Sequence, residues 1–342
     1  MSADPSPAYA FDAAPAPGTR LRVADGIDWV RQPLPFALDH VNCWLLGESG
    51  GGGGLTLVDT GIASDRSRAL WNEVLGERRP ERLLVTHFHP DHAGLAGWFS
   101  AGGSTLLGSA VEIAHSHALW HARPREAAAG HAAWYRENGL PEAAVAAVAE
   151  RGHAYRSIVV EPPAPAAWRT LSEGETLTLG GRHLQVLVGR GHSPDMLMLH
   201  DAAGGLLIAA DQVLPRISPN VSLMPRTPDP DPLASFLDSL AALRALPADT
   251  LVLPSHGLPF RGLHARLEAL ATHHAERLEQ VREACREPRT AHALFPLLFS
   301  RELDAQQLSF ALGESLAHLV HLERRGELER LREGGVQRFV AR

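Results

Sequence analysis

The stretch RLLVTHFHPDH, residues 82–92, decides the fold. Arg82 to Thr86 is a short, largely apolar run of the kind that forms a buried strand. It leads straight into His87, His89, Asp91 and His92. Neutral imidazole and carboxylate are good ligands for divalent first-row metals, and a loop at a strand end can converge them on one point. With 19 histidines in 342 residues a lone His means little, but four ligand-type side chains within six residues mean a great deal.

Three further segments repeat the pattern of strand followed by ligand. His192, in Gly191-His192-Ser193, follows His183 to Val188; Asp211 follows Leu206 to Ala209; His256, in Ser255-His256-Gly257, follows Leu251 to Pro254. Four strand ends with matching chemistry point to one shared metal site.

Around these motifs, Val41 to Leu46 and Leu55 to Val58 read as strands joined by a glycine loop, Ser49 to Gly54. Ser64 to Glu77 and Ala93 to Ser100 read as helices, and Ser104 to Leu107 as a strand. This alternation argues for a layered domain of helices and sheet. Residues 109–155 break it: they are Ala-rich and read as three helices, divided near Pro124 and at Gly139-Leu140-Pro141, forming an inserted cap. Strands resume at Glu175 to Leu179 and Met196 to His200, and a helix spans Phe236 to Leu246. Residues 264–287 read as a long charged helix. The remainder reads helix, helix and a two-stranded ribbon, Leu328 to Leu331 and Val336 to Val340, turning at Gly334-Gly335. That order is winged-helix-like. The Ala/Pro-rich residues 1–18 read as a disordered tail with none of the features of a signal peptide. The expected domains are thus a tail (1–18), a catalytic domain (19–263, insertion 109–155), and a linker helix with the winged-helix-like domain (264–342).

With these motifs quoted, residues 40–260 resemble the metallo-β-lactamase superfamily. The resemblance implies an α+β fold, a four-layer αββα sandwich with a dinuclear metal site. It implies that His87, His89 and His192 hold one ion, that Asp91, His92 and His256 hold the other, and that Asp211 bridges them. Asp59, in Asp59-Thr60-Gly61, matches the family's early Asp, which lies beside the metals; carboxylates there orient ligating His rings. Asp91 and Asp211 take the catalytic roles. Two such ions lower the pKa of a shared water towards ~7, and the hydroxide formed attacks a carbonyl or phosphoryl centre, steered by Asp91. Zinc is the expected metal; manganese and iron accept the same ligand types.

Some relatives fit less well. Flavodiiron proteins carry Glu where His89 stands. True β-lactamases commonly use a Lys for the drug carboxylate, and this chain has no Lys. The glutathione-binding Lys and Tyr of glyoxalase-II enzymes are not recognisable. Lactonase relatives often place a Tyr soon after the bridging Asp, where this chain has Gln212-Val213-Leu214. The C-terminal pattern resembles the β-lactamase-like-protein-2 group, some of whose members cleave single-stranded RNA.

Charge argues against nucleic acid. The net charge is −7, and residues 290–342 hold seven Arg against seven Asp and Glu, whereas nucleic-acid modules are clearly basic on one face. The tail domain therefore reads as a packing or homodimerisation module. Cys43 and Cys285, the only cysteines, make no disulfide framework. No apolar run is long enough to cross a membrane, and the expected location is the cytoplasm. Trp120, Trp134 and Tyr135 of the cap are expected to line an apolar pocket over the metals. His115, His117, His121, His131 and His153 read as helix-surface residues rather than a second metal site. Arg190, Arg216 and Arg226 are candidates for holding an anionic group. The expected activity is hydrolysis of a small-molecule thioester or ester. A metal-dependent phosphodiesterase or ribonuclease is the first alternative, and a ligand-sensing, DNA-binding regulator the second.

Overall fold

A computed structural model describes residues 7–47, 54–150, 154–300 and 303–342. Residues 1–6, most of the expected glycine loop (Ser49 to Gly53) and His153 lie outside the described residues.

The first part of the chain contains β1 (Ala8–Tyr9), β2 (Leu21–Ala24), β3 (Ile27–Pro33), β4 (His40–Leu46), β5 (Thr56–Val58), α1 (Asp65–Leu75), β6 (Arg82–Leu84), α2 (Pro90–Ala93), α3 (Ala96–Ala101) and β7 (Thr105–Gly108). The cap follows as four helices where three were expected: α4 (Ala110–His121), α5 (Pro124–Glu137), α6 (Glu142–Glu150) and α7 (Ala154–Ser157). Next come β8 (Trp168–Thr170), β9 (Thr176–Leu179), β10 (Arg182–Gly189), β11 (Met196–Asp201), β12 (Leu206–Ala210), α8 (Pro232–Leu243), β13 (Leu251–Pro254) and β14 (Phe260–Arg261). The C-terminal part is α9 (Leu263–Ala284), α10 (Phe295–Leu298), α11 (Ala305–Arg324), β15 (Leu328–Glu333) and β16 (Val336–Ala341).

Two seven-stranded sheets form the frame, ordered β2-β3-β4-β5-β6-β7-β8 and β1-β14-β13-β12-β11-β10-β9; β15 and β16 pair separately. The sheets face each other through Ile27, Trp29, Trp44, Leu184, Ile208 and Leu253. Strands in such a sandwich are covered on both faces and so lose the polar alternation of an open sheet. In β4, Trp44 and Leu46 turn toward the other sheet, while Val41, Cys43 and Leu45 turn outward onto Trp71, Val74 and Phe99 of α1 and α3. The outer face of the second sheet, with Leu207, Val252 and Phe260, is covered by Phe236, Leu267 and Leu312 of α8, α9 and α11. The layers therefore run α, β, β, α. Both cysteines are buried and unpaired, and no described helix is long and apolar enough to cross a membrane.

The structure departs from the sequence reading in two further places. Residues 7–18, expected within a disordered tail, include β1, where Ala8 and Tyr9 pair with Arg261 and Phe260. Both β1 side chains are exposed, so only backbone groups hold the strand and no hydrophobic pattern marks it. The helix expected over Ala93 to Ser100 is interrupted: Ala93 ends α2, the short helix that carries Asp91 and His92, and α3 begins at Ala96.

Candidate metal centre

Each candidate residue sits just past a strand's C-terminal end. Asp59 follows β5 and the 86–92 loop follows β6, both in the first sheet. His192, Asp211 and His256 follow β10, β12 and β13 in the second. All seven expected ligands converge. Their ligand atoms form three overlapping groups, each within 4.8 Å: His87/His89/His192, His87/His92/Asp211 and Asp91/His92/His256. The first and third are the two sets that the resemblance implies, and each draws on both sheets. Asp211 stands between them, with Oδ2 3.2 Å from His192 Nε2 and 3.6 Å from His92 Nε2, and Oδ1 3.4 Å from His256 Nε2.

The backbone is committed to this placement. Asp59 (φ 60°) and Ala210 (φ 47°) are the non-glycine residues with left-handed backbone among those described. Such a conformation costs about 1–3 kcal/mol and persists where the surroundings over-determine it. Ala210 directly precedes Asp211. Gly191 has φ 98°, and a Cβ there would lie 2.4 Å from Phe236 Cβ, so only glycine lets the His192 loop lie against α8.

Hydrogen bonds engage Nδ1 of His92, His87, His192 and His256, while His87 Nε2 and His89 Nδ1 lie 3.0 Å apart. His92 Nδ1 donates to Asp59 Oδ2 at 2.8 Å. Thr86 Oγ1 donates to the same oxygen at 2.8 Å and accepts from His87 Nδ1 at 2.9 Å, while Thr86 N–H donates to Asp59 Oδ1 at 2.8 Å. His192 Nδ1 donates to the Asn220 carbonyl at 2.8 Å, and His256 Nδ1 to the His40 carbonyl at 2.7 Å. The opposite nitrogens, Nε2 of His92, His192 and His256, are buried and make no hydrogen bond, as is Asp211 Oδ1. Four buried polar atoms without a hydrogen-bond partner, all within the cluster, cost free energy unless something else satisfies them. Divalent cations do so, and this donor set suits them.

The electrostatics differ from ring to ring. Burial, with His92 and His89 nearby, drives the His87 pKa well down, and burial beside His192 lowers His89 to about 3. Both rings are thus neutral and ready to ligate. For His92, burial opposes charge, but Asp91, Asp211 and Asp59 outweigh it and raise its pKa well above the usual value. Burial likewise opposes charge on Asp211, but His256 and His92 overcome it and hold the carboxylate well below its usual range.

Sequence reasoning missed Glu112. It lies in the first turn of α4, and its carboxylate accepts Phe88 N–H at 3.0 Å on Oε2, and Ser193 Oγ–H at 2.5 Å and Asp195 N–H at 2.8 Å on Oε1. One side chain from the cap thereby ties the His87–His92 loop to the His192 loop. Asn42 is buried and serves the fourth loop, its Nδ2 donating to the carbonyls of Pro254 and Gly257.

A pocket of about 420 Å³ opens beside His89 and His192. Its walls include Phe88, Leu119, Val148, Ile158, Met224 and Phe310, contributed by the 86–92 loop, the cap, the 211–231 loop and α11. Of the three cap aromatics, only Tyr135 lines it. Trp134 packs on Tyr135 at 5.1 Å, and Trp120 lies under the Arg156 guanidinium at 5.7 Å. His115 and His131 line the pocket, while the rings of His117 and His121 stack 4.2 Å apart elsewhere on α4. The described residues show no further metal-type cluster of three. Of the arginine candidates, Arg190 is paired with Asp195 at 2.8 Å, Arg216 is exposed away from the pocket lining, and Arg226 lines it.

Comparisons with known proteins agree with this fold. A family model for the metallo-beta-lactamase superfamily matches residues 37–256, and one for the metallo-beta-lactamase-like C-terminal domain matches residues 278–342. The crystal structure of a beta-lactamase domain protein from Burkholderia ambifaria is 41% identical, covers 98% of each chain and superposes with a TM-score of 0.90. A metallo-beta-lactamase family protein from Thermus thermophilus is 31% identical over 94% of this chain and 100% of that one, with a TM-score of 0.80. The probable metallo-hydrolase YqjP of Bacillus subtilis (strain 168) is 28% identical over 91% of this chain and 96% of its own length. With its two facing sheets and its His/Asp cluster able to bind metal, the chain belongs to the metallo-beta-lactamase superfamily.

Proposed function

We propose that this chain is a dinuclear, zinc-dependent hydrolase of thioesters or esters that carry an apolar acyl group. The observation that carries this reading is the pocket: a largely apolar cavity of about 420 Å³ that meets the cluster at His89 and His192. In this reading His87, His89 and His192 hold one ion, Asp91, His92 and His256 the other, and Asp211 both. Bound there, the ions would supply Lewis acidity and a water of lowered pKa. The chain's own residues do the rest. Phe88, Ile158 and Met224 exclude bulk water from the acyl side, which strengthens electrostatic interactions at the reacting carbonyl. Asp91, at 21% exposure the most open carboxylate of the cluster, orients the attacking water and takes up its proton. Asp59 and Thr86 keep the rings of His92 and His87 turned inward.

Phosphodiester or RNA cleavage draws less support. Among the described residues Arg226 is the one arginine lining the pocket, too little positive charge to track a polyanion. The equal numbers of acids and arginines in residues 290–342 weigh equally against a DNA-binding regulator. The deciding test is turnover by protein loaded in turn with zinc, manganese and iron. Acyl thioesters of graded chain length are set against a chromogenic phosphodiester and single-stranded RNA. Thioester cleavage that disappears in Asp211→Ala supports the reading. Phosphodiester cleavage without thioester cleavage overturns it.

A further inference from the structure

His192 and His256 are both oriented by a backbone carbonyl, but the His40 carbonyl that holds His256 stands at the start of β4, whereas the one that holds His192 lies in an irregular loop. His92 and His87 are held by Asp59 and Thr86, which are anchored at ends of central strands. His192 Nδ1 instead donates to the backbone carbonyl of Asn220, within the 211–231 connection between β12 and α8, where the structure has no helix or strand. A carbonyl in an irregular loop is only as well placed as the loop, so something else must fix residues 220–224.

That something is α11, in the C-terminal part of the chain. Asn220 Nδ2 donates to Glu314 Oε2 at 3.1 Å, and Ser222 Oγ donates to Asn220 Oδ1 at 2.5 Å. Leu223 N–H donates to the Gly313 carbonyl at 3.0 Å. Gly313 lies inside a helix, where glycine costs about 1 kcal/mol relative to alanine. A Cβ there would sit 2.8 Å from Ser222 Cβ and 3.0 Å from Met224 Sδ, so glycine is what lets the loop lie flat on α11. Glu314 is itself held by Arg277 of α9 at 3.0 Å, and its side chain is 14% exposed. The same helix reaches the substrate side: Ser309 and Phe310 line the pocket, and Ser309 Oγ is 2.8 Å from Tyr135 Oη of the cap.

We propose that the C-terminal domain is a working part of the active site, in which Glu314 is a positioning residue that fixes His192 through Asn220. This rests on the metal-site reading above. The competing account is that Glu314 merely braces α9 and α11 through Arg277. The two accounts differ in what the metal experiences, and cobalt(II) reports this without any substrate, because its visible spectrum follows ligand geometry.

The experiment titrates metal-stripped full-length protein with cobalt(II), comparing the wild type with Glu314→Gln, Asn220→Ala and the double variant. Asn220→Ala keeps the carbonyl and removes the side-chain link from a surface loop, so it remains informative if Glu314→Gln folds poorly. Each single variant is expected to shift the cobalt spectrum and weaken uptake of one of the two ions about tenfold, the scale seen when a partner of a ligating His is lost. The double variant is expected to be no worse than the worse single one. Wild-type spectra and affinities in Asn220→Ala, or a Glu314→Gln that loses only melting temperature, would overturn the proposal. A wild-type protein that takes up no cobalt would instead overturn the metal-site reading on which the proposal stands.

Discussion

Asp59 Oδ2 lies 2.8 Å from His92 Nδ1, with both side chains at most 2% exposed. A single carboxylate oxygen thus sets the tautomer of His92 and, through the Thr86 hydroxyl, that of His87. Asp59→Ala is expected to lower metal affinity and turnover by about 10–100-fold. Metal content per chain after dialysis against a weak chelator, with kcat/KM beside it, checks this; undiminished metal content would mean that the rings are oriented by something else.

His87→Ala and Asp211→Ala each remove an expected ligand. Both are expected to abolish turnover and to lower bound metal while circular dichroism stays native. Wild-type-like activity in either variant would refute the ligand assignment.

Glu112 receives three donors and offers none. An amide in its place turns an NH₂ toward at least one N–H or O–H donor and leaves buried groups unsatisfied, at about 1–3 kcal/mol each. Glu112→Gln is expected to lower the thermal midpoint and to reduce kcat by about tenfold or more, since both ligand loops loosen together. Differential scanning fluorimetry and steady-state kinetics provide the check.

Phe310 is 46% exposed yet lines the pocket, on the wall contributed by α11. A charge there opposes acyl binding without touching the cluster. Phe310→Asp is expected to raise KM for long-chain thioesters about tenfold and to leave kcat nearly unchanged, the signature of lost uniform binding. A fall in kcat at constant KM would contradict the assigned role.

The C-terminal domain imposes a pH dependence of its own. His274 of α9 and His318 of α11 lie with Nδ1 and Nε2 3.2 Å apart. Burial, then the neighbouring ring, lowers His274 to about 2; burial, partly offset by the Glu314 carbonyl, lowers His318 to about 4. Unfolded, each ring takes up its proton near the ordinary 6.5. As pH falls from 6.5 toward 4 the unfolded chain therefore binds more protons than the folded one, and stability declines across that window. One pKa unit is about 1.4 kcal/mol, so His318 alone accounts for a loss on the order of 3 kcal/mol. Urea unfolding of metal-stripped protein from pH 7 to pH 4 is expected to show this slope, and His318→Gln to flatten it.

The convergence of the candidate residues was legible because rare residue types cluster immediately after apolar strands, and the long central strands were legible from their unbroken hydrophobic runs. The features that escaped act through groups without a sequence signature. Ser109-x-x-Glu112 reads as an ordinary capping box, and Ser109 Oγ does accept the Glu112 N–H. The Glu112 carboxylate, however, leaves the helix to serve two distant loops. Asn220 acts on His192 through a backbone carbonyl that every residue possesses. The β1 side chains are exposed, and of the cap aromatics Tyr135 lines the pocket while Trp120 and Trp134 do not, a distinction of side-chain direction that composition does not carry.

Each expected ligand trio draws two side chains from one sheet and one from the other. An ion held there would rivet the two halves of the sandwich together, and metal supply would become a term in the chain's durability. Above saturation, each tenfold rise in free metal adds about 1.4 kcal/mol per site to the stability of the folded form. The melting temperature then reads out the surrounding metal concentration, and a chelator weakens the scaffold as well as the reaction.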